Sequence, residues 1–265
     1  MNLRVAIALA LLTIVVVVPG QAYAAGAYPF DGIPGISPAQ HLEAVVLIED
    51  LRALRGALET QREDLLKTAI GKSYFSPEHQ KSLLGADIYT ELDHVIAVVA
   101  PKGASIPAVL AFVSAGDDVH VQLAIKTESG VTERLLAAKT TGGFRVEGTA
   151  SALTVVIGER TLPAKVDGSW LRIGVTEAAL TLSGTPPLQA LPPTFAKWAA
   201  DSQIVIAALG GGKLAETIAG MVGDDPIGQG LVRSTRAFGL TLRYDRDGSQ
   251  VARVVLDADR IKDFA

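Results

Sequence analysis

Cysteine is missing from all 265 residues of this sequence. Its absence excludes disulfides, thiol catalysis, cysteine-ligated zinc, iron–sulfur clusters and a lipid-modified N-terminal cysteine. Aromatic residues make up only 5% of the chain, which disfavours the stacking platforms that bind nucleic acid bases or sugars. The net charge is −4, and a mildly acidic chain has no electrostatic footprint for nucleic acid or anionic lipid.

The first 24 residues have the pattern of a secretory signal peptide. Arg4 precedes the apolar run Val5–Val18, and residues 22–24 form an Ala-x-Ala cleavage pattern. The alternative is a membrane anchor, but a run of 14 residues is shorter than the roughly 20 that span a bilayer. We therefore expect cleavage after Ala24, a mature charge of −5, no membrane span thereafter, and a periplasmic or extracellular protein.

The segment after the signal allows two interpretations. Residues 25–38 are rich in proline and glycine, which predicts an irregular arm. Beyond it lies either one helix from Pro38 to Ile70, or a strand at Ala44–Ile48 and then a helix capped by Asp50. Four consecutive large apolar residues would cover every side of a helical turn, so they favour a buried strand.

Short apolar segments separated by turn residues predict antiparallel strands through the middle of the chain. The pair Asp167-Gly168 is a strong hairpin signal. The predicted strands are Thr132–Ala138, Phe144–Glu147, Leu153–Ile157, Thr161–Lys165, Trp170–Gly174 and Ala179–Leu182.

A strand–helix–hairpin order occurs near both ends of the chain, which suggests an internal duplication. The later copy comprises Gln203–Leu209, a glycine-rich turn, Lys213–Val222, Phe238–Tyr244 and Gln250–Leu256. The earlier copy comprises Val45–Ile48, Leu51–Ile70, Val95–Ala100 and Ala108–Ser114. The predicted fold is α+β, mainly antiparallel sheet with packed helices, with α+β units at 39–114 and 191–265 around a β-rich segment at 115–190.

The glycine-rich turn is a weak candidate for an anion-binding nest. Gly210, Gly211, Gly212 and Lys213 join a strand to a helix, which is the right context for binding an anion by backbone N–H groups. A phosphate-binding loop would need glycine where Ala207 stands and serine or threonine where Leu214 stands. A flexible turn is the stronger interpretation, and the sequence predicts no cofactor.

The polar pair Asp93-His94 is the other weak candidate site. Neighbouring residues of a strand point to opposite faces, so this pair alone does not form a catalytic dyad. The four histidines lack metal-binding spacing, and the common serine hydrolase motifs are missing. The sequence therefore assigns no catalytic residue and no metal ligand.

Several strand–turn patterns resemble those of bacterial secreted proteins classed as a domain of unknown function. They are Val45–Asp50, Leu84–Ile88 before Leu92–Val95, Val166–Gly174 and Gln203–Leu209. The resemblance implies duplicated α+β units behind a signal peptide and no assigned catalytic residues.

Two functions remain open from the sequence. The first is an exported, non-enzymatic protein that binds a protein partner or an apolar small ligand, or has an envelope role. The alternative is an exported hydrolase whose site is assembled from scattered residues such as Asp93, His94 and a serine.

Overall fold

The computed structural model describes residues 41–56, 59, 66–67, 72, 88–116, 118–138, 144–149, 151–157, 160–181, 191, 202–213, 215–216, 226–244 and 250–258. The strands are β1 (His41–Ile48), β2 (Ala108–Ala115), β3 (Asp118–Lys126), β4 (Phe144–Thr149), β5 (Ala152–Ile157), β6 (Arg160–Asp167), β7 (Trp170–Gly174), β8 (Ile204–Leu209), β9 (Thr235–Tyr244) and β10 (Gln250–Ala258). The helices are α1 (Ile88–Val99), α2 (Val131–Ala137), α3 (Pro226–Ser234) and a 3-10 helix (Glu177–Thr181). Residues 51–56 are also helical.

All ten strands belong to one sheet, with the order β10-β9-β8-β1-β2-β3-β7-β6-β5-β4. Each described pair of neighbouring strands is antiparallel. The prediction of a mainly antiparallel sheet is therefore confirmed. The strand at Ala44–Ile48, preferred over a single long helix, is confirmed as part of β1. The hairpin turn at Asp167-Gly168 is confirmed too, because Asp167 pairs with Trp170 across it.

The strand predicted at Val95–Ala100 is wrong, because Val95–Val99 forms the end of α1. Leu92, Val95, Ile96 and Val99 pack against the core, and their spacing places them on one face of a helix. Pro101 follows directly. In the first half of the chain the hairpin is instead β2–β3.

Two shorter predictions of strands are also wrong. Thr132–Ala138 forms most of α2, where Val131 and Leu135 are buried four residues apart on one helical face. Ala179–Thr181 belongs to the 3-10 helix, with Ala179 and Leu180 buried. Short apolar runs do not distinguish a strand from a buried helical turn, so tertiary packing decided both cases.

Several other predictions lie outside the described residues. These are the signal peptide, the arm at 25–38 and most of the predicted helices at Leu51–Ile70 and Lys213–Val222. Within the described residues, no helix is both long enough and apolar enough to cross a membrane.

Apolar side chains are buried on both faces of the sheet. One face, which we call the helical face, carries Val46, Leu110 and Ile125, and it packs against Leu54 and Val99 from the helical segments. The opposite face carries a second buried cluster that includes Leu47, Val205 and Trp170. A strand buried on both faces needs an almost continuous apolar sequence, which explains the run Val45–Ile48.

The pairing of β1 with β8 lies near the middle of the sheet. Val46 faces Ile206 there. Val46 also faces Leu110 of β2, while Ile206 faces Leu240 of β9. On one side of this pair the chain continues through β2 and β3, and on the other side through β9 and β10.

Asp50 anchors the helical residues that follow β1. Its Oδ1 accepts hydrogen bonds from the backbone N–H groups of Arg52 and Ile106, each at 3.0 Å. The first bond satisfies a helix N-terminal donor that has no partner within the helix. The predicted cap is therefore confirmed, and the second bond ties it to the segment that enters β2.

Arg134 of α2 holds the end of α1 and the loop before α2. Its guanidinium donates to the carbonyls of Val98 at 2.7 Å, Ser129 at 2.6 Å and Glu128 at 3.1 Å. The last carbonyls of a helix have no partner within it, and a cation is favoured at that end. One side chain thus joins two helices and their connection.

We expect Arg134→Met to reduce the free energy of unfolding by about 1–3 kcal/mol, because several carbonyls lose a charged donor. Urea unfolding followed by circular dichroism measures the change. Arg145→Met is the matched control. Arg145 is exposed and pairs with the exposed Glu147, so its loss should cost less than about 1 kcal/mol. Equal losses for the two variants would contradict the capping role.

Candidate functional site

A β-bulge in β1 places an acidic side chain inside the protein. Leu42 pairs with Val113 and Ala44 pairs with Phe112, so the register shifts between them and Glu43 has no opposite residue. The side chain of Glu43 is buried, with only 2% of the residue exposed. A buried carboxylate requires hydrogen-bond donors to offset its lost hydration.

The glycine-rich turn after β8 supplies such a donor. The backbone N–H of Lys213 donates to Oε1 of Glu43 at 2.9 Å. Lys213, Ala215 and Glu216 are helical, and the N–H of Glu216 donates to the carbonyl of Gly212 at 3.0 Å. A negative charge is favoured at a helix N-terminus. The predicted nest thus has an internal carboxylate at one of its donors, and its binding of an external anion stays a prediction.

Gly212 lies in tight contact with two side chains of β1. A Cβ atom at this position would overlap the carboxylate of Glu43 and the ring of His41. Gly211 differs in two ways. Its φ of +78° is left-handed, and the space beside it is open. The two glycines therefore serve different purposes, one for contact and the other for backbone direction.

His41 lies beside this carboxylate at the start of β1. Its Nε2 is buried and has no hydrogen-bond partner among the described residues. Ser114 of β2 pairs with His41 of β1. Its hydroxyl donates to the backbone carbonyl of His41 at 3.5 Å and not to the imidazole ring. The group is therefore a buried polar cluster at the strand end, without the bonds of a catalytic triad.

A cleft of about 440 Å³ adjoins the turn. Its described lining comes from the turn, from the helical residues after it and from α3: Gly211, Gly212, Ala215, Glu216, Gln229, Val232 and Arg233. Glu216 and Arg233 are exposed. The cleft thus combines backbone, apolar and oppositely charged surfaces in one concave region, as small-molecule sites do.

Asp93 and His94 lie on the helix α1, not before a strand as predicted. Asp93 accepts a hydrogen bond from Arg55 at 2.8 Å, and Arg55 also pairs with Glu59 at 2.7 Å. Burial opposes the charge of Arg55, but the bonds to Asp93 and Glu59 outweigh it and raise the pKa of Arg55 above its usual value. Asp93 therefore ties α1 to the helical segment after β1.

His94 is not hydrogen-bonded through Nδ1 to any described residue. Successive residues of a helix point about 100° apart, so Asp93 and His94 are directed differently. The Nδ1 atom of His120 lies 3.4 Å from the hydroxyl of Thr176. Among the described residues, no group of three or more histidine and acidic side chains could hold a metal ion.

Sequence patterns did not indicate four residues of this region: Glu43, His41, Glu216 and Arg233. One signal was available, since Glu43 interrupts an otherwise apolar strand, and a lone acid there requires a partner. The other three gave no signal, because their proximity depends on how β8 and α3 are placed in the fold. The predicted turn residues Gly211 and Gly212 do line the cleft.

Comparison with known proteins adds no relative: no protein-family model, curated protein or solved structure matches this chain.

We expect Gly212→Ala to destabilise the protein by about 1–3 kcal/mol, because the new methyl group must displace Glu43 or His41. Gly211→Ala is the matched control, since it adds only the backbone strain of a left-handed residue, about 1 kcal/mol. Urea unfolding measures both. Hydrogen exchange at the Lys213 amide should accelerate in the Gly212 variant alone. Unchanged exchange there would contradict the contact between the turn and Glu43.

We expect Asp93→Asn and His94→Gln each to lower the free energy of unfolding by less than about 1 kcal/mol. Asp93 is half exposed and Arg55 keeps Glu59 as a partner, while Nδ1 of His94 forms no hydrogen bond with a described residue. Thermal unfolding at low and high salt measures this. The Asp93 effect should shrink at high salt, whereas the His94 effect should not change. A loss above about 2 kcal/mol for either variant would show a deeper structural role than these contacts indicate.

Proposed function

We propose that this chain is an exported, non-enzymatic protein that binds a protein partner through the β9–β10 hairpin. The observation that carries the proposal is an exposed apolar surface on that hairpin. Phe238 is 52% exposed, Val254 is 73% exposed and Leu256 is 43% exposed. We call these three residues the hairpin patch. Clustered large apolar side chains at a surface are typical of interaction sites.

The three side chains of the hairpin patch lie on one face of two neighbouring strands. Phe238 pairs directly with Leu256, and Val254 pairs with Leu240. Residues two apart on a strand share a face, so Val254 and Leu256 are adjacent there. Leu242, on the same face, belongs to the cluster of the helical face. The patch therefore continues the helical face beyond its buried part.

The corresponding region in the first half of the chain is covered. We take Val46 of β1 as equivalent to Ile206 of β8, which it faces. The pairings of the next two strands on each side then make Ala108 equivalent to Phe238 and Ile125 equivalent to Leu256. Ala108 and Ile125 are buried in the cluster that contains Leu54 and Val99. The two halves arose, in our proposal, by duplication. The second half kept the hairpin, but no described helix covers the apolar side chains of the hairpin patch, which remain exposed.

The partner that fits this surface offers an extended strand with alternating apolar side chains. Among the described strands, β10 ends the sheet, and its outer edge pairs with no other described strand. Edge strands are commonly protected by charged side chains or proline. Gln250–Ala258 has no proline, and its charged residues Arg253 and Asp257 lie on the face opposite Val254 and Leu256. An added strand would bond to the backbone of β10, and its side chains would cover Val254 and Leu256.

Export remains part of this proposal and rests on the signal pattern of residues 1–24. The alternative of an exported hydrolase has less support, since no histidine ring in the described part of the chain joins a serine hydroxyl and a carboxylate. An apolar small ligand is also less favoured at the cleft beside the glycine-rich turn, because that cleft has charged walls.

A photo-crosslinking residue at position 256 tests the proposal in cells that naturally produce the chain. We expect one discrete adduct with a different polypeptide, lost on Val254→Lys because a lysine there repels an apolar strand. Val254 is largely exposed, so this change should leave the fold intact. Thr149→Lys is the control, placed on the exposed β4 at the other end of the sheet.

The polypeptide in the adduct, once purified, should bind the unmodified chain at least about tenfold more tightly than the Val254→Lys variant. An adduct with the mass of two copies would replace the partner with self-association. No adduct, or an adduct that survives Val254→Lys, would overturn the proposal.

A further inference from the structure

The cleft beside the glycine-rich turn carries charges of both signs on its walls. Glu216 follows the turn, and Arg233 lies in the last turn of α3. Both side chains are exposed, and within the described residues neither forms an ion pair, with each other or elsewhere. Opposite charges that face one cleft without pairing can each bind a complementary group of the same ligand.

The backbone N–H groups of the turn are not the main binding groups for such a ligand. The N–H of Lys213 already donates to Glu43 at 2.9 Å, and that buried carboxylate lies behind Gly212. A second anion bound to the same amide would have to displace the first and leave it without its donor. Arg233 and Glu216 are therefore the residues that would bind the charged groups of a ligand in the cleft.

The remaining lining indicates the size and polarity of the ligand. Ala215 and Val232 provide apolar surface, and Gln229 provides an amide. A volume of about 440 Å³ is at the smaller end of small-molecule pockets. A small molecule with one positive group, one negative group and a modest apolar side chain suits these walls.

We propose that this cleft binds a small zwitterion, either a free α-amino acid or a short peptide, with its carboxylate on Arg233 and its ammonium on Glu216. A guanidinium binds a carboxylate through two parallel hydrogen bonds, which gives orientation as well as affinity. The cleft is separate from the hairpin patch, so this inference does not depend on the proposed protein partner.

Isothermal titration calorimetry of the purified chain with L-valine and with L-valyl-L-valine tests the inference at low ionic strength. We expect at least one of the two probes to bind, and the tighter probe distinguishes a free amino acid from a peptide ligand. Arg233→Gln and Glu216→Gln should each weaken its binding by about tenfold. Arg145→Gln and Glu147→Gln are the controls, because that exposed pair lies on β4, and both should bind as the unmodified chain does.

Two analogues of valine test which group meets which residue. L-valinamide keeps the ammonium but lacks the carboxylate, so its binding should be weak and insensitive to Arg233→Gln. N-acetyl-L-valine keeps only the carboxylate, so its binding should be insensitive to Glu216→Gln. The inference is overturned if neither probe binds at about 10 mM, if the two charge variants bind like the unmodified chain, or if the sensitivities are exchanged.

Discussion

The antiparallel pairing of β1 with β8 joins the strands from the last part of the chain to the rest of the sheet. Strands β9 and β10 connect to β1 only through β8, and the six strands from β2 to β4 connect to β8 only through β1. Side chains from both strands are buried on both faces. The apolar run Val45–Ile48 is thus required by position, because any polar residue in it would lie in a core.

Glu43 is the exception in that strand, and the bulge explains why it is tolerated. Because Glu43 is the extra residue of the bulge, it has no partner in the strand pairing. Its carboxylate accepts a hydrogen bond from the backbone N–H of Lys213 instead. A buried acid without its donor would be costly, whereas a paired acid fixes where its donor must be. Glu43 therefore positions the glycine-rich turn against β1, and with it the wall of the cleft that contains Gly211 and Gly212.

Sequence patterns predicted the elements whose signals are local. Asp50 as a cap, Asp167-Gly168 as a turn and Val45–Ile48 as a buried strand each follow from a few adjacent residues. The prediction of a strand at Val95–Ala100 was wrong because a short apolar run fits the periodicity of a strand and that of a helix. The helical spacing is recognisable only when Leu92 is included. The cleft could not be predicted, because Arg233 and Glu216 come together only through the placement of α3. Of its residues, only the glycines gave a local signal.

The β1–β8 pair also sets the order in which the chain can fold. Val46 faces Ile206, so about 160 residues must be made and arranged before β1 has its second neighbour. Pairing between such distant segments is slow, because the entropy of closing a long loop opposes it. Until β8 arrives, β1 is an apolar edge open to other chains. A chain that ends before β8 would therefore leave one edge of the apolar strand β1 without its native neighbour.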